Sequence, residues 1–192
     1  MISSKESLLI RNSSKDHILP TNYYSGEVQG FVVGPSRFSK SVRYENIYNE
    51  ATAKITKRLE DATGLDMNHT ELFQVVNYGL GGYFETHVDL KLGKPDRMAT
   101  ALFYLSNVTQ GGATYFPALN ITVFPKIGSA LFWFNLDNKG NPQMETLHTG
   151  CPVIVGSKWV VSKFIQDIGQ EFRRPCIDSN TKEFLSIGKF MY

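Results

Sequence analysis

The chain has 192 residues, of which 42% are hydrophobic and 20% charged, and its net charge is +2 at neutral pH. This length suits one domain with a substantial buried core. No run of Lys or Arg is long enough to predict a nucleic-acid or membrane-surface partner. We also predict no membrane span, because no apolar stretch approaches the roughly 18 residues that a spanning helix needs. The first residues lack the apolar segment of a signal peptide.

The N-terminal part of the chain is polar and shows no clear periodicity. We expect residues 1–24 to form a loose arm, in which Leu8, Leu9 and Ile10 make at most a short strand. Residues 25–178 are expected to form the folded domain, and residues 179–192 a C-terminal tail. Within the domain, residues 31–33 are predicted to form a first short strand before a Gly-Pro turn.

Residues 44–63 give the clearest helical pattern in the sequence. Apolar residues recur there at every fourth position, which predicts one buried stripe along a helix. The stripe consists of Ile47, Ala51, Ile55 and Leu59. Gly64 follows at the position of a C-terminal cap. We therefore predict a helix that packs on the outside of a sheet.

After Gly64 the pattern changes to short apolar segments separated by Gly, Pro, Asn and Asp. Such spacing is typical of a two-sheet jelly roll or a barrel. The predicted strands are residues 72–78, 83–90, 98–105, 113–116, 121–124, 130–134, 153–155 and 158–165. The predicted fold class is therefore mainly β with a flanking helix.

The sequence His87-Val88-Asp89 lies in one of these predicted strands. Alternate residues of a strand point to the same face, so His87 and Asp89 are expected to aim at a common point. With His148 from a neighbouring strand they would complete a 2-His-1-carboxylate set, which is typical of non-haem Fe(II) oxygenases. Taken alone the pair is a weak motif, and an ordinary structural histidine is the competing interpretation.

Lys158 opens the predicted strand 158–165, ten positions after His148. If both side chains face the interior, the lysine needs an anion, because an unpaired buried charge is costly. A dicarboxylate that chelates a metal at one end would supply that anion at the other. Ser162 is predicted to share the face of Lys158. A surface lysine at a strand end is the alternative.

Several segments of the chain together resemble the catalytic domain of the collagen prolyl 4-hydroxylase α subunit, over residues 30–178. They are VVNYGLGG (75–82), HVD (87–89), RMATALFYLS (97–106), GGATYFP (111–117), CPVIVGSKW (151–159) and QEFRRPC (170–176). The resemblance implies a double-stranded β-helix (jelly roll) of the 2-oxoglutarate oxygenase type. It also implies hydroxylation of peptidyl proline at C4, with O2 and 2-oxoglutarate giving 4-hydroxyproline, succinate and CO2.

The resemblance assigns roles to five residues. It implies that His87, Asp89 and His148 are the Fe(II) ligands. It implies that Lys158 pairs with the distal carboxylate of 2-oxoglutarate, and that the hydroxyl of Tyr78 reaches the same co-substrate. L-ascorbate is implied as the reductant that restores oxidised iron.

Further residues follow from the same resemblance. Thr100 and Tyr104 are expected to line the pocket from one strand face, and Arg97 to lie near the peptide. From the residues alone, Cys151 and Cys176 are either free thiols or a disulfide; the resemblance implies the disulfide. It also implies a proline-rich or collagen-like peptide substrate, protein disulfide isomerase as a β-subunit partner, and the endoplasmic reticulum lumen.

Two positions depart from the family pattern. The chain has Phe84 where the family usually has a tyrosine, with Tyr83 on the opposite face, and Phe164 where the family tends to have tryptophan. Both changes keep a ring and remove a polar group. They leave open a 2-oxoglutarate oxygenase with another substrate. The short N-terminal part leaves open a truncated, non-catalytic isoform.

Overall fold

The computed structural model describes residues 2–25, 30–32, 34–46, 48–91, 93, 96–174 and 187–190. Two α-helices, α1 (Ser4–Ser14) and α2 (Glu50–Thr63), accompany sixteen strands and two short 3-10 helices in this part of the chain. The first eight strands are β1 (Leu19–Pro20), β2 (Tyr23–Ser25), β3 (Gly30–Val32), β4 (Arg37–Phe38), β5 (Lys40–Tyr44), β6 (Phe73–Tyr78), β7 (Tyr83–His87) and β8 (Arg97–Tyr104). The others are β9 (Gln110–Gly111), β10 (Thr114–Phe116), β11 (Ile121–Val123), β12 (Ala130–Phe134), β13 (His148–Gly150), β14 (Val153–Val155), β15 (Lys158–Gln166) and β16 (Ile187–Phe190). The 3-10 helices are Pro117–Leu119 and Met144–Thr146.

Two sheets make up most of the fold. The major sheet has seven strands in the order β1-β5-β6-β15-β8-β12-β16, and the minor sheet has five in the order β11-β10-β13-β7-β4. Neighbouring strands are antiparallel in both sheets. This arrangement confirms the predicted mainly-β, two-sheet architecture. Among the described helices, none is long and apolar enough to cross a membrane.

The alternation of side chains divides the major sheet into two buried faces. Odd-numbered residues of β6, β8 and β15, such as Phe73, Phe103 and Val161, join the core that lies against the helices. Even-numbered residues, such as Val76 and Val160, join a second core with the apolar side chains of the minor sheet. The period of two that predicts strands therefore also decides which side chains point between the sheets.

The prediction for the N-terminal arm is wrong in its conformation. Residues 4–14 form helix α1 instead of a loose segment with a short strand. The Ser3 side chain accepts a hydrogen bond from the Glu6 backbone and the Glu6 carboxylate accepts one from the Ser3 backbone, which is a capping box. Ile10 is buried in the helix-side core, and Arg58 of α2 binds Glu6 at 2.9 Å. This ion pair and the burial of Ile10 hold α1 against the domain.

The predicted helix is confirmed over most of its length. Helix α2 begins after Asn49, whose side chain accepts from the Thr52 backbone, and it ends at Gly64 with a φ of 71°. Its start is later than predicted, because Tyr44 ends strand β5. The stripe residues Ala51, Ile55 and Leu59 are buried, whereas Ile47 lies outside the described residues.

All eight predicted strands after Gly64 are found, with small shifts at their ends. One shift matters for the site: β7 ends at His87, so Asp89 lies in the segment that follows the strand. The expectation that both residues sit within one regular strand is therefore wrong. Position 33 of the predicted early strand lies outside the described residues, and β3 spans Gly30–Val32.

Candidate metal and co-substrate site

Three candidate ligands meet between the two sheets. His87 ends β7 and pairs directly with His148, the first residue of β13, while Asp89 reaches the same place from the segment after β7. One potential ligand atom from each residue lies within 4.8 Å of the other two. Nε2 of His87 is 3.6 Å from Oδ1 of Asp89, and Nε2 of His148 is 3.7 Å from its Oδ2. The three candidate ligands are therefore close together although Asp89 lies beyond the end of the strand.

The backbone fixes the orientation of both imidazoles. Nδ1 of His87 lies 2.7 Å from the carbonyl oxygen of Glu85, and Nδ1 of His148 lies 2.9 Å from that of Thr146. A carbonyl oxygen only accepts, so each Nδ1 carries a proton, and in the neutral ring the lone pair is then on Nε2. This is the tautomer that a histidine needs to bind a metal through Nε2.

The charges of the site favour metal ligands at neutral pH. Burial raises the pKa of Asp89, but the neighbouring histidines and Arg97 outweigh it and hold the pKa below its usual range. Burial lowers the pKa of His148 to about 4, against the opposing effect of the Asp89 charge. A carboxylate and a neutral imidazole are the forms that bind divalent metals.

Aromatic rings surround the histidines. The ring of Phe84 stacks on His87 with centroids 3.6 Å apart and planes inclined by 25°. Trp133 and Phe116 approach His148 with ring centroids at 4.8 Å and 5.3 Å. These contacts restrict rotation of both imidazoles and reduce the access of water. The donor set, its tautomers and its surroundings therefore fit a divalent metal of the Fe(II) type with open positions.

Lys158 lies in the same cavity as the three ligands. It is the first residue of β15, it is only 3% exposed, and it pairs across the sheet with Tyr78. Its Nζ is 5.3 Å from the ring centroid of Tyr78 and 5.9 Å from that of Tyr104. Burial lowers the pKa of Lys158 to about 8. A buried ammonium with aromatic neighbours is a suitable partner for a ligand carboxylate.

The sequence interpretation missed one cation of this cavity. Arg37 on β4 pairs with Phe84 and lies over its ring at 4.3 Å. Its guanidinium donates to the hydroxyl of Tyr78 at 3.4 Å, and Nε donates to Ser39. The cavity is lined by Arg37, Gln74, Tyr78, Phe84, His87, Asp89, Thr100, Leu102, Thr114, Trp133, His148, Gly150, Lys158, Val160, Ser162 and Phe164. No local motif marks Arg37, because its place depends on a strand pairing that the sequence does not display.

The remaining candidate residues lie in or next to this cavity. Thr100 and Ser162 line it, and Tyr104 is buried beneath it with its hydroxyl 2.8 Å from Thr114. Arg97 lies next to the cavity: it covers the ring of Phe164, a lining residue, at 3.8 Å and forms a two-bonded ion pair with Glu71.

Of the two cysteines, only Cys151 can be placed. It is half-buried directly after β13, and its backbone donates to Ala113. Cys176 lies outside the described residues, so the disulfide stays a prediction.

Comparison with known proteins agrees with this geometry. A profile described as the 2OG-Fe(II) oxygenase superfamily matches residues 73–166, which span β6 to β15 and include all three candidate ligands. Residues 73–166 therefore form a domain of this superfamily. A crystal structure of the viral collagen prolyl hydroxylase vCPH from Paramecium Bursaria Chlorella virus-1, in its 2OG complex, superposes with a TM-score of 0.74. It is 26% identical, and the match covers 87% of this chain and 92% of the viral one.

Two curated relatives are more similar in sequence. Prolyl 4-hydroxylase subunit alpha-1 of Rattus norvegicus is 39% identical over 186 residues, which are 92% of this chain and 35% of the relative. The Homo sapiens subunit alpha-1 is 45% identical over 150 residues, which are 73% of this chain and 28% of the relative. The chain therefore spans about a third of the length of the curated relatives it matches.

Proposed function

We propose that this chain is the catalytic domain of a procollagen-proline 4-dioxygenase that uses Fe(II), O2 and 2-oxoglutarate. The observation that carries the proposal is the convergence of His87, Asp89 and His148 in one cavity with the buried Lys158. The identity of 45% with a prolyl 4-hydroxylase subunit supports the choice of peptidyl proline as substrate.

The residues of the cavity would have separate roles. The two imidazoles and the carboxylate would hold iron, which supplies the activation of O2 coupled to decarboxylation of 2-oxoglutarate. Lys158 would pair with the distal carboxylate of the co-substrate, and Tyr78 lies beside it. Lys158 is only 3% exposed, and this burial strengthens its pairing with a carboxylate. The side of the cavity lined by Phe164, whose ring Arg97 covers, is where we propose that a peptide reaches the site.

A turnover assay with the purified chain tests the proposal. The chain is loaded with Fe(II) without oxygen, then given O2, 2-oxoglutarate and a Pro-Pro-Gly repeat peptide. We expect succinate and a peptide heavier by one oxygen at C4 of proline. A His148→Ala variant gives the metal-free background. Bound iron and bound 2-oxoglutarate without hydroxylation of any proline peptide would refute the assigned substrate.

The second candidate is a 2-oxoglutarate oxygenase with another substrate. Phe84 and Phe164 favour it, because both line the cavity as rings without a polar group. Free proline and peptides that vary the residue before and after proline separate the candidates, with the mass gain of one oxygen as the readout. Oxidation of a target other than proline would favour this candidate.

Compartment, partner and reductant complete the proposal. We propose the endoplasmic reticulum lumen, a Cys151–Cys176 disulfide, protein disulfide isomerase as partner and L-ascorbate as reductant. The support is the likeness to prolyl 4-hydroxylase subunits. Thiol alkylation of the native and denatured chain tests the disulfide, since two labelled cysteines in protein from an oxidising compartment would refute it. Co-purification with the isomerase and ascorbate dependence of long incubations test the other two.

A further inference from the structure

A chain of three buried polar groups ends at the metal-site carboxylate. Oγ1 of Thr100 donates to Oδ2 of Asp89 at 2.9 Å. Nδ2 of Asn135 donates in turn to Oγ1 of Thr100, also at 2.9 Å. All three side chains are buried. Thr100 lies on β8 and Asn135 directly follows β12, so the chain links two strands of the major sheet to a ligand on the opposite side of the cavity.

The directions of these hydrogen bonds are fixed by what each group can do. A carboxylate that binds a metal only accepts, so the single hydroxyl proton of Thr100 must point to Asp89. The hydroxyl oxygen must then accept from Asn135, which places the amide nitrogen toward it. The backbone of Asn135 is itself held, because its N–H donates to Met98 at 2.7 Å. Thr100 therefore has one orientation available.

This bond separates the roles of the two carboxylate oxygens. Oδ2 accepts from Thr100 and lies 3.7 Å from Nε2 of His148, whereas Oδ1 lies 3.6 Å from Nε2 of His87 and does not bond to Thr100. If Asp89 bound an octahedral metal through both oxygens, protein atoms would fill four of the six coordination positions and leave two open. A 2-oxo acid that chelates through two atoms would then leave no position for O2. The chemistry of the proposed function needs three positions, so Asp89 must bind through one oxygen.

We propose that Thr100, held by Asn135, is a positioning residue that restricts Asp89 to metal binding through Oδ1 alone. The inference rests on the proposed function, because it concerns how that same site keeps its third open position. Thr100 acts through Asp89 and is not itself a ligand.

The test compares the binding of metal, the binding of 2-oxoglutarate and its O2-dependent conversion to succinate in Thr100→Val, which keeps the shape of the side chain and removes the hydroxyl. Without oxygen, Mn(II) affinity is measured by titration, and 2-oxoglutarate affinity by the charge-transfer band of the Fe(II)-loaded protein. We expect Mn(II) affinity to be kept or increased, since Asp89 gains a second contact. We expect 2-oxoglutarate affinity to be largely kept, because two positions remain for its chelating atoms. We expect succinate formation in O2 to fall about 10- to 100-fold, the usual effect on activity of losing a partner of a metal ligand.

Three comparisons make the result specific. Thr100→Ser restores the hydroxyl and should restore succinate formation. Thr114→Val removes another buried threonine hydroxyl of the cavity, one that is bonded to Tyr104, and should not produce the same split. A crystal structure of the wild-type chain with Mn(II) should show Asp89 bound through Oδ1. Binding through Oδ2 or through both oxygens would overturn the inference, as would a lower Mn(II) affinity in Thr100→Val or succinate formation equal to that of the wild type.

The outcome also separates this inference from the proposed function. A wild-type chain that binds Mn(II) and 2-oxoglutarate but hydroxylates no proline peptide would refute only the assigned substrate. A wild-type chain that binds no Mn(II) would overturn the metal site and the role of Thr100 together.

Discussion

Lys158 and Tyr78 face each other across neighbouring strands of the major sheet, with Nζ of the lysine 5.3 Å from the centre of the tyrosine ring. The lysine is buried among the strands, and Arg37 adds a second positive charge that disfavours its protonation. The pair defines the end of the cavity that an anionic group would enter. This arrangement has a measurable consequence for the pH dependence of binding.

We predict that the affinity for 2-oxoglutarate decreases above about pH 8. Burial lowers the pKa of Lys158 to about 8 in the ligand-free protein, so the side chain is charged below that pH and neutral above it. A dicarboxylate binds the charged form. Its dissociation constant should therefore be constant below pH 8 and rise about tenfold per pH unit above it. Calorimetry on the metal-loaded protein without oxygen measures this profile.

The control for this profile is Lys158→Arg, because arginine stays charged throughout the range. Its affinity is expected to be lower, since the planar group fits the site less well, but independent of pH. Lys158→Ala should weaken 2-oxoglutarate binding more than Lys158→Arg does. A wild-type affinity that does not change between pH 7 and pH 10 would contradict the pairing of Lys158 with the distal carboxylate.

Replacement of any metal-site residue is predicted to abolish turnover. His87→Ala, Asp89→Ala and His148→Ala each remove one of the three ligand atoms that lie within 4.8 Å of one another. Among the described residues no further His, Cys, Asp or Glu joins this group. Iron content after desalting and succinate formation are the two measurements.

The matched control is Thr86→Ala, an exposed neighbour of His87 whose side chain points away from the cavity. It should keep both iron and activity. Activity above background in any one of the three alanine variants would show that the assigned residue is not a required ligand.

The positions of the strands follow from the sequence because alternation and turn residues are local signals. The same alternation predicts that Lys158 and Ser162 share a face, and both line the cavity. The position of Asp89 does not follow from it, since β7 ends two residues earlier and the carboxylate reaches the histidines from an irregular segment. The contact of Arg37 with Phe84 depends on pairing between distant strands. Long-range register of this kind has no local signature in a single sequence.

Helix α1 was predictable in part. Its capping box, Ser3 with Glu6, is a sequence signal for a helix start. The apolar residues of this segment do not show a helical pattern. Leu8 and Leu9 are 54% and 45% exposed, and only Ile10 points into the core. The buried residues of this helix are Ser7, Ile10 and Ser14, so its buried face gives a weak apolar periodicity.

The ion pair between helices should make stability depend on pH in the acidic range. Burial alone raises the pKa of Glu6, but hydrogen bonds from Arg58 and Ser3 outweigh this effect and lower it to about 2. The carboxylate therefore stabilises the fold fully above its unfolded pKa of 4.5, and this contribution is lost as the pH falls toward 2. Glu6→Gln should cost about 1 kcal/mol at neutral pH, measured by urea unfolding.

Near pH 2 the wild type and Glu6→Gln should have similar free energies of unfolding. Glu50→Gln is the matched control, because Glu50 pairs with Lys54 on the exposed surface of α2 and should have a smaller effect. A constant difference between wild type and Glu6→Gln from pH 7 to pH 2 would rule out the ion pair as the cause.

The departure at Phe84 predicts a gain of function on restoring the hydroxyl. The Phe84 ring stacks on His87 and lies under Arg37, so a tyrosine in the same place keeps both contacts and adds one polar group to the cavity lining. If the substrate is a prolyl peptide, Phe84→Tyr should raise kcat/KM for the peptide about two- to tenfold, the value of one net hydrogen bond. Iron content and the KM for 2-oxoglutarate should not change.

Tyr83→Phe is the control, since the hydroxyl of Tyr83 bonds to Pro35 outside the cavity and its removal should leave peptide kinetics unaltered. An unchanged or lower kcat/KM in Phe84→Tyr would indicate that this chain accepts a substrate for which the bare ring is the better surface.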